Sequence, residues 1–142
     1  MMKRFISMLG LLALSVLLAG TLSAAAPGPA PNVTFTLVSG LPLTMNVGET
    51  ATVVVEVTSD QDFIFAQMLP TFFFPGRGVV AVDAGGDHAR SGTAATLEIT
   101  FVAKGSTADF PGGTVPVAVV AGVHYQGGQT VAQRFDFNVV VP

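Results

Sequence analysis

The chain has no cysteine and no tryptophan, a single tyrosine, and only six basic and nine acidic residues among 142. Without cysteine there is no disulfide, no thiolate metal ligand and no thiol nucleophile, so burial and backbone hydrogen bonds alone must hold the fold together. Carbohydrate platforms stack sugars on Trp or Tyr, and Tyr125 alone does not make one. The scarce positive charge excludes a nucleic-acid partner. Arg77, Arg90, Lys104 and Arg134 are scattered singly, whereas a phosphate backbone needs clustered Lys and Arg. Two histidines, no cysteine and no nucleophile-elbow sequence also argue against an enzyme. Ser91, His88 and Asp87 supply the letters of a catalytic triad, but neighbours in one loop rarely reach its geometry.

What is present begins with an export signal. Lys3 and Arg4 precede an uncharged apolar run from Phe5 to Gly20, and Ser23, Ala24 and Ala25 offer the small residues of a leader-peptidase site. Residues 1–25 therefore read as a signal peptide cut after Ala25. No cysteine follows Gly20, so a lipid anchor is not expected. Membrane contact is expected only if the signal stays uncleaved, since the 22 residues from Phe5 to Ala26 match the ~20 that span a bilayer. Either way the location is secreted or extracytoplasmic, in the periplasm or at the cell surface. Residues 26–31, Pro/Gly-rich, read as an extended spacer, and residues 32–142 as one domain. Asn32-Val33-Thr34 matches a glycosylation sequon, which matters only in a eukaryotic secretory pathway.

From Asn32 onward the pattern has a period of two, with β-branched and aromatic residues in short runs separated by Gly, Pro, Asp and Ser. No segment reads as a helix. The expected strands are 33–37, an edge piece carrying Leu43, Met45 and Val47, then 51–58, 63–69, 78–83, 95–103, 115–125 and 130–141. The polar stretch Ser59-Asp60-Gln61-Asp62 reads as the turn between the third and fourth. Seven or eight short strands with turn signals at this spacing imply an all-β antiparallel sandwich. The last two runs form a hairpin across Gly127-Gly128. A three-residue loop, Gln126 to Gly128, sets Val117 opposite Phe137, Val119 opposite Phe135 and Val123 opposite Val131, keeping one face apolar. A two-residue loop would mix apolar and charged residues, so the longer loop is expected, with a glycine at positive φ. Pro116 cannot donate to a ladder and implies a late start or an unpaired edge there.

The stretch Val47-Gly48-Glu49-Thr50-Ala51-Thr52-Val53-Val54-Val55-Glu56-Val57 resembles the turn and second strand of bacterial immunoglobulin-like domains, with their V-G-E/D-T-x-T-V pattern. Residues 95–105 are similar to a later strand of such domains. The resemblance covers about 22 residues. It implies an immunoglobulin-like β-sandwich with an extracytoplasmic habit and a role as spacer, adhesive module or accessory domain, and it carries no catalytic residue. The chain departs from surface arrays of that kind in having one unit, no internal repeat and no C-terminal sorting segment.

Two constellations remain. Leu69-Pro70-Thr71-Phe72-Phe73-Phe74-Pro75-Gly76-Arg77 holds three consecutive phenylalanines, which cannot all point to one face of a strand. They either cap the core or form an exposed aromatic patch, and Phe72, Phe73, Phe74 and Arg77 are the residues expected to bind an unknown protein partner or a second copy of the chain. The alternative is a small calcium- or ligand-binding module in which Asp83, Asp87 and His88, on a glycine-rich loop, offer hard oxygen ligands and an imidazole, with Asp60 and Asp62 near. No cofactor is expected otherwise. Copper is disfavoured: His88, His124, Met45 and Met68 are plausible ligand types, but the methionines sit where core filling explains them and there is no cysteine. Low charge and valines such as Val120 and Val140 would permit edge-to-edge assembly.

Overall fold

Alternating apolar residues form strands here because one face of each is buried, and their register is set by that burial. The computed structural model describes residues 28–71, 76–84 and 88–142. The signal peptide expected at residues 1–25 lies outside them. Residues Pro31–Pro142 form one compact unit. It contains β1 (Val33–Ser39), β2 (Thr50–Pro70), β3 (Val80–Ala84), β4 (His88–Ala103), a short 3₁₀ turn at Pro111–Gly113, β5 (Val115–His124) and β6 (Thr130–Val139). All the pairings between strands are antiparallel, in the order β3-β4-β2-β5-β6, with β1 added to β2.

The organising element is β2, which runs unbroken from Thr50 to Pro70 and serves two layers. Its first half pairs with β1 on one side and with the second half of β4 on the other. Past Thr58 the register breaks, and from Phe63 the strand pairs with the start of β4 and with β5. Ser59 to Asp62 thus form a bulged corner, not the chain reversal expected from their polarity. Four residues of β2 there stand against Thr93 alone, because Thr58 faces Ala94 and Phe63 faces Gly92. A bulge of this kind bends both strands. The partner strand bends with it: Ser91 has φ 47° and Gly92 φ 135°.

The corner is held by partners remote in sequence. The backbone N–H of Asn32 donates to Asp60 Oδ1 at 2.8 Å and its side-chain amide to Oδ2 at 2.9 Å. Ser59 Oγ shares a hydrogen bond of 2.6 Å with the hydroxyl of Tyr125, a buried residue at the end of β5.

Folding the ladder over at the corner brings the two layers face to face. Val53, Val55 and Val57 of β2 and Leu97, Ile99 and Phe101 of β4 meet Val115, Val117, Val119, Ala121 and Val123 of β5 in one core with Phe63, Ala66 and Met68. The inward side chains of β2 are odd-numbered through Phe63, the first residue past the bulge, and even-numbered at Ala66 and Met68, so the strand exchanges its two faces between Phe63 and Ala66. Thr107 is the one buried polar residue among those described. Its hydroxyl donates to Gly113 O at 2.6 Å and accepts from Val141 N–H at 2.9 Å, tying down the end of the domain.

The β5–β6 hairpin has the three-residue loop expected. Val117 faces Phe137, Val119 faces Phe135 and Val123 faces Val131. Tyr125 N–H donates to Gln129 O at 2.9 Å, closing a loop in which Gly127 and Gly128 have φ 97° and 87°. Pro116 is exposed and lies outside the part of β5 that β2 covers, which begins at Val119.

Two further expectations are corrected. Among the described residues the strands number six, not seven or eight, because 51–58 and 63–69 belong to one strand and the Leu43–Val47 piece makes only a single parallel bridge, Thr44 to Val140. Met45 is buried, but Leu43 and Val47 stand out in solvent at 80% and 60% exposure, so that piece does not alternate into the core. Val120 and Val140 are not free edges either. Val120 sits between Leu69 and Arg134 in the sheet, and Val140 is hydrogen-bonded by Leu43 and Met45.

Candidate functional site

The face exchange between Phe63 and Ala66, just past the corner, turns Phe65 and Gln67 outward, onto the solvent side of the second layer. Phe65 stands beside His124 of β5 and Arg90 of β4, and Gln67 beside His88. Both histidines of the chain therefore flank one half-buried phenylalanine. The Phe65 ring stacks on His88 with centroids 5.8 Å apart and an interplanar angle of 28°, and lies 5.8 Å from His124 at 45°. Gln67 Nε2 is 3.1 Å from His124 Nε2, and Thr130 Oγ1 is 3.1 Å from His124 Nδ1. With both ring nitrogens engaged, His124 is fixed in orientation. The result is an aromatic and polar platform drawn from β2, β4, β5 and β6. Its chemistry is that of a contact surface: stacking faces, amide and imidazole hydrogen bonds, and Arg90 at its margin.

Sequence reasoning missed this platform because His88 and His124 are distant in the chain and the outward parity of Phe65 depends on a face exchange within β2, between Phe63 and Ala66. The alternation Phe65, Gln67 beside Ala66, Met68 was the available signal.

Of the residues expected to bind a partner, Arg77 is exposed, and Phe72, Phe73 and Phe74 lie outside the described residues. The flanks of that stretch are pinned to the first half of β5. Thr71 N–H donates to Ala118 O at 3.0 Å. Gly76 is buried against Val115, where an added Cβ would come within 1.6 Å of Val115 Cγ2, and its carbonyl accepts from Val79 and Val80.

The acidic alternative is dispersed. Asp83 is exposed at an irregularity between Val82 and Ala84, His88 is exposed at the start of β4 against Phe65, and Asp87 lies outside the described residues. Asp60 is occupied with Asn32. Among the described residues no three His, Asp or Glu side chains gather in a way that would hold a metal. The copper set is not brought together: Met45 and Met68 are fully buried in the core, whereas the histidines are on the outer face. Ser91 is an exposed residue at the bend of β4.

No protein-family model and no curated protein matches the chain. Among solved structures it is similar to a PapD-like domain of human CEP192, at 12% identity and a TM-score of 0.48, over 82% of this chain and 89% of that one. It is also similar to a DUF4466 family protein of Parabacteroides merdae, at 13% identity and TM-score 0.45 over 80% of this chain, and to BcpA, the major pilin subunit of Bacillus cereus, at 10% identity and TM-score 0.37 over 79%. The chain spans less than half the length of these last two, 46% and 40%. Its architecture is an all-β antiparallel sandwich.

Proposed function

We propose that this protein is an exported, non-enzymatic structural or protein-interaction module of the bacterial cell envelope or extracellular space, of the immunoglobulin-like kind. The observation that carries the reading is the platform around Phe65: rigid strands present a stacked aromatic and imidazole surface to solvent, with the ring nitrogens of His124 held by Gln67 and Thr130. Such a surface suits docking, because its polar groups are oriented before contact and its rings bury apolar area at little entropic cost. Phe72, Phe73, Phe74 and Arg77 are proposed as a second contact region, anchored at Thr71 and Gly76. The leader sequence supports export.

The test places a photo-crosslinking phenylalanine analogue at position 65 in the full chain expressed in its own cell. A discrete adduct in the extracytoplasmic fraction, on a chain whose N-terminus is Ala26, is the expected result. A cytoplasmic protein, or no adduct from position 65 or 73, would sink the reading.

A further inference from the structure

The free edge of β6 is complementary to itself. The β5–β6 ladder runs without a register break from Val115 facing Val139 to His124 facing Thr130, and closes with the bond from Tyr125 N–H to Gln129 O. In an antiparallel pair, hydrogen-bonded positions alternate, so odd-numbered residues of β6 exchange bonds with β5 and even-numbered ones direct their N–H and C=O away from it. Val140 shows this parity directly. Its N–H donates outward to Leu43 O at 2.8 Å and its carbonyl accepts from Met45 N–H at 2.9 Å. Toward the hairpin, Ala132, Arg134, Asp136 and Asn138 are exposed at the last strand of the sheet order, with their backbone groups facing outward.

We propose that this edge pairs with the same edge of a second copy, antiparallel about a two-fold axis at Phe135. In that register Arg134 lies opposite Asp136 of the second copy, Asp136 opposite Arg134, and Phe135 beside Phe135. Charge selects it. Arg134 and Asp136 are exposed, 59% and 66% by side chain, and form an ion pair at 2.8 Å along one strand. Centring the axis one residue earlier sets Arg134 against Arg134, and one residue later Asp136 against Asp136; only the axis at Phe135 turns two pairs into an alternating square of four charges. Burial agrees. Phe135 is half-buried on the core side, and the closely spaced non-hydrogen-bonded position at the axis would cover its remaining surface with its counterpart. The pairing spans Ala132 to Asn138, because beyond it the edge is already occupied by Leu43–Met45. Edges protected against association usually carry charge of one sign, which repels a second copy. This edge carries one of each. The other edges lack such a code: β1 has no charged residue to set a register and breaks its own between Leu37 and Ser39, β3 has five residues with one acid, and the start of β4, which pairs only with β2, carries Arg90 and no acid from His88 to Gly92.

The inference names a partner for the interaction module and rests on the β6 edge, not on the Phe65 platform. Light scattering on protein purified after expression of the full chain should give twice the single-chain mass. Arg134→Asp alone and Asp136→Arg alone should each give the single-chain mass, and an equimolar mixture of the two should return to the doubled mass, since each variant's edge then complements the other's. Restoration on mixing also shows that both variants are folded. Wild-type protein at single-chain mass up to about 1 mM, the weak limit of a specific contact, would overturn the proposal, as would a dimer that survives Arg134→Asp or a mixture that stays monomeric. A monomer that still crosslinks through position 65 would overturn the dimer and leave the module reading intact; a dimer without that crosslink would do the reverse.

Discussion

The β5–β6 hairpin and the β2 corner both break a run of alternating strand residues with polar or small ones, yet they use opposite means. The hairpin reverses the chain with its own residues: two glycines at positive φ and a closing bond between Tyr125 and Gln129. The corner keeps the chain moving forward. Ser59 to Asp62 are held by Asn32, from before β1, and by Tyr125, from the far end of β5. A turn encoded locally can be read from its glycines, whereas a bend encoded by distant partners resembles a turn until those partners are in place. Tyr125 joins the two regions, since it closes the hairpin with its backbone and braces the corner with its hydroxyl.

The largest effect should come from removing the side chain that re-enters the core after the bend. Phe63 is 1% exposed and is the first inward residue past the bulge. Phe63→Ala is expected to cost about 3–5 kcal/mol in urea unfolding, the range for buried aromatic truncations. A loss under about 1 kcal/mol would mean that the bend does not fix the second half of β2 in the core.

Next comes the brace. Tyr125→Phe and Ser59→Ala each remove one end of the 2.6 Å hydroxyl pair, and each should cost about 1–2 kcal/mol. The double variant should cost less than the sum, with a coupling of about 0.5 kcal/mol or more. Strict additivity would show that Ser59, which also donates to Gln61 O at 2.7 Å, stabilises the bulge without help from the hairpin end.

The fold was legible to the extent that burial is one-sided and turns are local. Val53, Val55 and Val57, and Leu97, Ile99 and Phe101, announce their faces by alternation, and the V-G-E-T stretch announces its turn: Gly48 has φ 88°, Glu49 N–H donates to Asn46 O, and the Glu49 carboxylate accepts from Asn46 N–H. The hairpin register followed from requiring one apolar face. Continuity through Ser59–Asp62 was not legible, because nothing in four polar residues distinguishes a reversal from a bulge. The platform was hidden by the parity change that follows, between Phe63 and Ala66. Without the parity change, Phe65 and Gln67 carry no face, and without the ladder nothing places His88 beside one and His124 beside the other. The Leu43–Val47 piece misled for a related reason: between Pro42 and Gly48 it has room for only one bridge, at Thr44, so alternation there is not enforced by pairing.

The smallest effect tests the local half of the comparison. Gly128 has φ 87°, and a Cβ added there meets no atom within 4 Å, so Gly128→Ala incurs no clash. What remains is the backbone cost of holding an L-residue in the left-handed region, roughly 1 kcal/mol. Gly128→Asn should cost less, because asparagine enters that region more readily. The ordering Ala below Asn below Gly in melting temperature, with the Tyr125–Ser59 coupling unchanged in each variant, would show that the hairpin is closed by backbone conformation and the corner by its remote bonds. If Gly128→Ala instead abolished that coupling, the corner would depend on the hairpin's closure, because the position of the Tyr125 hydroxyl would then be set by the loop that follows it and not by the core beneath.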